Sequence, residues 1–387
     1  PVAPMDAEFG TPQWALGQKT YSFESSTRIV CEINRRGVWS LASIDTETLE
    51  LTNIDWPYTE VGRGDIKASP DQFVFEASSA TEPGAIVRLR PDSGAMEVLK
   101  RSEEVGVDDG YLSVPETIEF PTDDGLMAHA FYYPARNSDF EGPTGERPPL
   151  LVVSHGGPTG AAMSSFNLAY QFWTSRGIAV VDVNYGGSTG YGTEYRRRLN
   201  GRWGIVDIAD CVNAAQHLVD RGDVDGERLI IRGGSAGGYT TLASLTFRDV
   251  FKVGASYYGV ADLEALAKET HKFESRYMDS MVGPYPECRD LYVERSPIHH
   301  TELLSCPIIL LQGLEDKIVL PNQAEMMVDA LKKKGLPVAY LPFEGEQHGF
   351  RKAENVIRAL NSELYFYSRI LGFDLADDIE PVHIENL

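Results

Sequence analysis

The sequence predicts an α/β protein in two parts, a short all-β segment followed by a larger sheet of buried parallel strands with helices on both faces. Two observations carry this. Over the first hundred residues short apolar runs alternate with turn signals, as in "YSFES", "RIVCEI", "VWSLASID", "QFVFEASS" and "AIVRLRPDSG", which is the spacing of an all-β region. Further on, "LLVVSHGG", "GIAVVDVNY", "RLIIRGG", "KVGASYYG" and "PIILLQG" are separated by amphipathic stretches such as "FNLAYQFWTSR" and "DIADCVNAAQHLVDRG", the alternation of a parallel sheet with crossover helices. The polar stretch "KRSEEVGVDDGYLSVPE" joins the two, so residues 1–110 and 111–387 are expected to be separate domains.

The β segment repeats on itself. An offset of 45 residues sets Leu41 on Ile86, Ile44 on Leu89, Thr48 on Ser93, Leu51 on Met96 and Ile54 on Leu99. A period near that length is what a propeller blade gives; a β-sandwich is the alternative. Two blades do not close a ring, and open strand edges invite pairing with another chain.

Composition narrows the function. Fifty-seven acidic against 35 basic residues leave a net charge of −22, which repels phosphate backbones and anionic lipid, so neither nucleic acid nor a membrane surface is expected as a partner. Apolar residues at 42% are ordinary, and no apolar run approaches the length of a membrane span. The opening "PVAPMDAEFG" has neither the basic residues nor the apolar stretch of a leader. Cys31, Cys211, Cys288 and Cys306 show no metal-type spacing; free thiols in a reducing cytoplasm, with no metal and no cofactor, are expected.

The pattern Gly-x-Ser-x-Gly occurs twice, at residues 186–190 and 233–237. Ser235 follows the strand "RLIIR" across two glycines and leads directly into "GGYTTLASLTF", a helix rich in small residues. Strand, sharp turn and helix together expose a nucleophilic hydroxyl, and Gly233 and Gly237 leave the room that the turn needs. Ser188 also follows a strand, but "TGYGTEYRRR" interrupts any helix with two more glycines. Its segment is expected to be a glycine-rich loop, and Ser235 the nucleophile.

A serine needs a base and a group to orient that base. Asp316 in "LLQGLEDKIV" and His348 in "EGEQHGF" each follow a predicted strand, and the chain order Ser, Asp, His is the one used on the α/β-hydrolase fold. Glu315 is the rival to Asp316. His155 precedes the serine, while His299 and His300 lie on a connection where packing or capping is expected. The glycines of "SHGGPTG" let a backbone N–H approach a ligand, so Gly157 and Ala236, the residue after the serine, are expected to form the oxyanion hole.

Taken together, "SHGGP", "VNYGGSTGYG", "GGSAGGYTT", "YYGVADL", "SRYMDSMVGPYPE", "LLQGLEDKIVLPNQ" and "EGEQHGF" resemble the prolyl oligopeptidase family of serine peptidases, in its acylaminoacyl-peptidase and aminopeptidase-like branch. The resemblance covers residues 112–375. It implies an α/β-hydrolase catalytic domain preceded by a β-propeller, and the roles already given to Ser235, Asp316, His348, Gly157 and Ala236. In other branches a tyrosine hydroxyl serves the oxyanion where this chain has His155, so a backbone donor is expected instead. The 110 residues suffice for about two blades, and the resemblance implies that an N-terminal propeller segment absent from this sequence covers them; an oligomer stays open. Short peptides or aminoacyl amides are the implied substrates, cut at the amino terminus; a carboxylesterase or amidase on the same fold is the alternative. The substrate pocket is expected beside "KVGASYYGV" and the insertion after it, with Tyr258, Val260, Leu263 and Phe273 as its apolar wall and Arg276 on a substrate carbonyl.

Overall fold

In the computed structural model, which describes residues 2–12, 14–62 and 65–387, the first hundred residues form two antiparallel sheets. The first runs in the order β1 (Tyr21–Phe23), β2 (Arg28–Arg35), β3 (Val38–Asp45), β4 (Leu51–Ile54). The second comprises β5 (Glu60–Val61), β6 (Lys67–Ser69), β7 (Gln72–Ser78), β8 (Ala85–Arg90) and β9 (Ala95–Arg101), ordered β5-β7-β8-β9 with β6 also paired to β7. One buried cluster, including Val30, Trp39, Leu41, Phe73, Phe75 and Val87, joins the two sheets. The 45-residue offset lays β3 on β8 and β4 on β9, and both Ile44 and Leu89 are buried. It fails at two positions: Leu41 is buried whereas Ile86 is 40% exposed, and Ile54 packs on the joint cluster whereas Leu99 is 45% exposed. Leu41 and Ile44, three residues apart, face opposite sides of β3 and are both covered, Ile44 in a separate cluster with Cys31, Ile33 and Ala42. By contrast β8 is buried on one face and Ile86 lies on the other. In β9 Leu99 is the unpaired residue at the register shift between the two strands.

From Glu116 onward the chain builds an eight-stranded sheet. Its strands are β10 (Glu116–Pro121), β11 (Met127–Tyr133), β12 (Leu150–Ser154), β13 (Ala179–Asn184), β14 (Leu229–Gly234), β15 (Val253–Tyr257), β16 (Ile308–Gly313) and β17 (Val338–Phe343). They lie in the order β10-β11-β13-β12-β14-β15-β16-β17. The pairs β10–β11 and β11–β13 are antiparallel and the rest parallel. The helices are α1 (Leu168–Thr174), α2 (Gly192–Arg197), α3 (Val206–Arg221), α4 (Ala236–Phe247), α5 (Leu263–Glu269), α6 (Tyr277–Met281), α7 (Arg289–Arg295), α8 (Pro321–Lys334) and α9 (Ala353–Leu371).

Alternate residues of a strand point to opposite faces, and the core divides accordingly. Leu150 and Val152 of β12 join Leu218 of α3, Leu242 of α4 and Met327 of α8, whereas Leu151 joins Trp173 of α1 and Phe366 of α9. Burying each such large side chain contributes roughly 1.5–3 kcal/mol, which is why strands apolar on both faces stay central. Strand order reverses at β12, whose neighbours are β13 and β14. Connections leaving β12 and β14 depart to opposite faces, toward α1 and α4, and open the crevice where ligands bind in such sheets.

Helix α4 is buried from Ala236 to Thr246, so its small residues serve close packing. A Cβ on Gly238 would stand 2.6 Å from the Cα of Gly259. The N-terminal part docks on the crevice side of the sheet. Glu8 accepts hydrogen bonds from Gly190 N–H (2.9 Å) and Gly192 N–H (3.1 Å) and pairs with Arg196 at 2.6 Å. Thr59 and Ser164 exchange hydroxyl-to-carbonyl bonds at 3.0 and 3.2 Å. The four cysteines are unpaired. No helix among the described residues is long and apolar enough to cross a membrane.

Candidate active site

Ser235 sits between β14 and α4 with φ 57° and ψ −120°, a left-handed backbone that a non-glycine residue adopts only when its surroundings enforce it. Gly233 and Gly237 make that possible. A Cβ on Gly233 would stand 2.3 Å from the carbonyl oxygen of Gly237, and one on Gly237 would stand 2.0 Å from that of Ser154. Ser235 N–H donates to Tyr257 O at 3.0 Å, and Ser235 O accepts from Tyr239 N–H at 3.0 Å. The turn is therefore fixed on both sides, with its hydroxyl at the carboxyl edge of the sheet.

The hydroxyl oxygen of Ser235 is 2.7 Å from His348 Nε2, and His348 Nδ1 is 2.8 Å from Asp316 Oδ2. Asp316 is buried in the turn after β16, where Oδ1 accepts from the N–H groups of Ile318 (2.8 Å) and Val319 (3.0 Å). A carboxylate so held, whose Oδ2 also accepts from Gln312 Nε2 at 3.4 Å, takes the Nδ1 proton as a further partner. That fixes the tautomer and leaves Nε2 as the acceptor facing Ser235. Glu315 is exposed and only its backbone N–H is engaged, by Glu346 O at 2.9 Å. Tyr258 packs edge-on against the His348 ring with centroids 4.9 Å apart. It holds φ 39° to do so.

The turn after β12 lies against the serine, since a Cβ on Gly156 would stand 3.5 Å from Ser235 Cβ. Gly157 has φ 101°, which favours glycine. Ala236 is the first residue of α4, so its N–H has no partner within the helix and points with the positive end of the dipole. Gly157 and Ala236 both line the cavity that opens on Ser235. The hydroxyl of Tyr277 donates to Gly157 O at 2.9 Å and ties this turn to the insertion that follows β15.

His155 is turned elsewhere. Its Nε2 is 2.7 Å from Ser188 Oγ, its Nδ1 is 3.0 Å from Gly156 O, and its ring stacks on Tyr185 with centroids 4.3 Å apart. Burial pushes its pKa down to about 4. Ser188 is fully buried, and its Oγ also lies 2.8 Å from Tyr185 O.

A cavity of about 580 Å³ opens on Ser235 and His348. Of the expected pocket residues, Tyr258 and Val260 line it. The other three lie elsewhere. Leu263, the first residue of α5, is fully buried in the core, and Phe273 is 89% exposed. Arg276 extends into solvent with its side chain 86% exposed and pairs with Asp279 at 3.1 Å. Sequence reasoning missed Trp203, Tyr277 and Glu274 on the wall. It also missed Trp14, whose ring would meet a Cβ on Gly157 at 3.2 Å. Trp14, Trp203 and Glu274 come from segments without a periodic pattern or a motif, and although Tyr277 lies in "SRYMDSMVGPYPE", nothing in that stretch marks which side chain faces the cavity.

A sequence model of the prolyl oligopeptidase family matches residues 164–374. Among curated proteins, the chain is 29% identical to dipeptidyl aminopeptidase BIII of Pseudoxanthomonas mexicana over 308 residues, 76% of this chain and 45% of that protein. It is 31% identical to an acylamino-acid-releasing enzyme of Arabidopsis thaliana over 212 residues, 53% of this chain and 28% of that one. It thus spans less than half the length of these relatives. Among solved structures, a puromycin-hydrolyzing peptidase of Mycobacterium tuberculosis superposes with a TM-score of 0.95 at 43% identity, covering 99% of this chain and 58% of the other. A puromycin hydrolase gives 0.95 at 38% identity with the same coverage. The likeness extends over the N-terminal sheets as well as the eight-stranded one, which makes them part of a β-propeller before an α/β-hydrolase domain. Because the family match spans more than half of the chain and takes in Ser235, Asp316 and His348, this protein belongs to the prolyl oligopeptidase family.

Proposed function

We propose that the protein is a serine exopeptidase that hydrolyses short peptides or aminoacyl amides at the amino terminus through an acyl-enzyme. One observation carries the proposal: Ser235, His348 and Asp316 form an unbroken chain of bonds at 2.7 and 2.8 Å beside an open cavity. Ser235 Oγ attacks the carbonyl carbon while its proton passes to His348 Nε2, and Asp316 stabilises the imidazolium. The oxyanion is held by the N–H groups of Gly157 and Ala236; loss of one such donor typically costs about 10²–10³ in rate. As the carbon–nitrogen bond breaks, His348 returns the proton to the leaving amine. Water, deprotonated by the same nitrogen, then releases the acyl group and restores Ser235.

Amide substrates are supported by the names of the relatives, a dipeptidyl aminopeptidase and a puromycin-hydrolyzing peptidase. The edge strand β1 exposes Tyr21 (55%) and Phe23 (59%), and further propeller strands outside these residues would cover such an edge. Four unpaired thiols favour a reducing cytoplasm. The test is a panel of aminoacyl, dipeptidyl and N-acyl-aminoacyl anilides beside simple aryl esters. Free-amine anilides are expected to be cleaved best; hydrolysis of the esters alone overturns the peptidase assignment.

A further inference from the structure

The charge on the wall of the active-site cavity is one-sided. Among the described residues lining it, Glu274 is the one carboxylate, and no Lys or Arg is present. Much of the remaining wall is apolar or aromatic, with Trp203, Tyr258, Val260, Leu266, Ile318 and Val319. A cavity built this way suits a ligand with a hydrophobic body and a single positive charge.

Glu274 is also held in place. Its Oε2 accepts from the hydroxyl of Thr270 at 2.9 Å, and its Oε1 lies 3.7 Å from His271 Nε2. Its backbone N–H donates to His271 O at 3.0 Å, and its carbonyl accepts from Tyr277 N–H at 2.9 Å. Tyr277 in turn donates through its hydroxyl to Gly157 O. One short turn therefore connects the carboxylate to the residue that receives the oxyanion, so its position relative to the scissile carbonyl is set. Neither carboxylate oxygen is saturated by these contacts, since each accepts more than one hydrogen bond.

We propose that Glu274 binds the protonated amino terminus of the substrate, while the apolar wall takes the first side chains. The enzyme then selects free-amine peptides and amides with hydrophobic amino-terminal residues and disfavours N-acylated ones. This deepens the peptidase assignment and rests on it. An ammonium group pairs with a carboxylate through charge-assisted bonds. An acylated nitrogen offers one neutral donor and adds bulk. Because the Glu274 side chain is 43% exposed, solvent screening limits the discrimination to about 10–100-fold.

The test compares leucine p-nitroanilide and a dipeptidyl p-nitroanilide with the N-acetyl form of each, on the wild type and on Glu274→Gln. Loss of about 10–100-fold in kcat/KM on the better free-amine substrate, chiefly through KM, is expected. The N-acetyl counterpart and the rate of fluorophosphonate labelling at Ser235 should change by no more than about twofold. Equal losses on free and acetylated substrates, or none on the free-amine ones, overturn the role of Glu274 and leave the peptidase assignment standing. Calorimetric binding of leucinamide and N-acetyl-leucinamide to Ser235→Ala, with and without Glu274→Gln, separates the two claims. Leucinamide binding that depends on Glu274 supports the subsite even if no anilide is turned over; binding indifferent to acetylation overturns it.

Discussion

Two stretches of this chain share the pattern Gly-x-Ser-x-Gly, and in both the serine oxygen lies 2.7 Å from a histidine Nε2. They differ in everything around that pair. Ser235 takes a left-handed backbone at the head of a helix and faces the cavity, with Asp316 behind its histidine. Ser188 is fully buried, and the other nitrogen of its histidine meets the carbonyl oxygen of Gly156. A base whose conjugate acid has a pKa of about 4, as burial gives His155, has little tendency to accept a proton near neutrality. The comparison teaches that a serine–histidine contact does not define a nucleophile; access, backbone strain and a carboxylate do.

The largest effect tests access. Ser235→Ala should lower kcat by on the order of 10⁶-fold, as removal of a catalytic serine typically does. It should also abolish labelling by a fluorophosphonate, read by mass spectrometry of the labelled peptide. Ser188→Ala should be labelled like the wild type. Labelling that survives in Ser235→Ala and disappears in Ser188→Ala reverses the assignment.

Next is the carboxylate. In Asp316→Asn the side-chain oxygen can still accept from Ile318 N–H and Val319 N–H, which turns the amide nitrogen toward His348 Nδ1. That nitrogen must then be an acceptor, so the proton moves to Nε2 and the ring can no longer take one from Ser235. A loss in kcat of about 10⁴-fold with little change in KM is expected from steady-state rates. A loss of tenfold or less would mean that Asp316 is not what separates the two pairs.

What could be read from the sequence divides along the same line. Gly233 is dictated by its contact with Gly237, four residues on, and β12, β14 and β16 by unbroken apolar runs. Gly237 is legible from the Gly-x-Ser-x-Gly pattern even though the carbonyl it makes room for, that of Ser154, lies far away in sequence. Ser235, Asp316 and His348 follow because each sits just past the end of such a strand. Contacts across long separations left no such mark. Tyr277 reaches Gly157 across 120 residues and Glu8 reaches Gly190 across 182. Between α5 and α6, residues 270–276 belong to no regular element. No period there tells which side chain faces the cavity, and the apolar Phe273 points out while Glu274 lines the wall.

The protonation of the second pair gives a smaller effect. The ordinary histidine pKa is near 6.5, and in the folded protein that of His155 is lowered to about 4. Between those values the unfolded chain holds a proton that the folded chain does not. The contribution is therefore full above about pH 6.5 and is lost as the pH falls toward 4, by up to about 3 kcal/mol. His155→Gln lacks this term. The difference in apparent Tm between wild type and variant, measured by scanning calorimetry, should narrow as the pH is lowered from 7 to 4. A constant gap would show that His155 titrates alike in both states.

The smallest expected effect is that of Ser188 itself. Its single hydroxyl proton has two acceptors within reach, Tyr185 O at 2.8 Å and His155 Nε2. If His155 carries its proton on Nε2, that nitrogen donates to Ser188 Oγ and the hydroxyl donates onward to Tyr185 O. If the proton is on Nδ1, it goes to Gly156 O and the hydroxyl turns to Nε2. Either way Ser188 holds the ring whose backbone leads into Gly156 and Gly157, the turn lying against Ser235. Ser188→Ala leaves the ring nitrogen short of a partner, while Tyr185 O keeps the N–H of residue 188 at 2.9 Å; one buried group so left typically costs about 1–3 kcal/mol. An apparent Tm lowered by a few degrees, as about 1 kcal/mol gives in a protein of this size, and a kcat reduced by no more than about tenfold with KM unchanged are expected. A rate loss near that of Asp316→Asn would mean that the second serine takes part in the chemistry after all, and that burial had not separated the two.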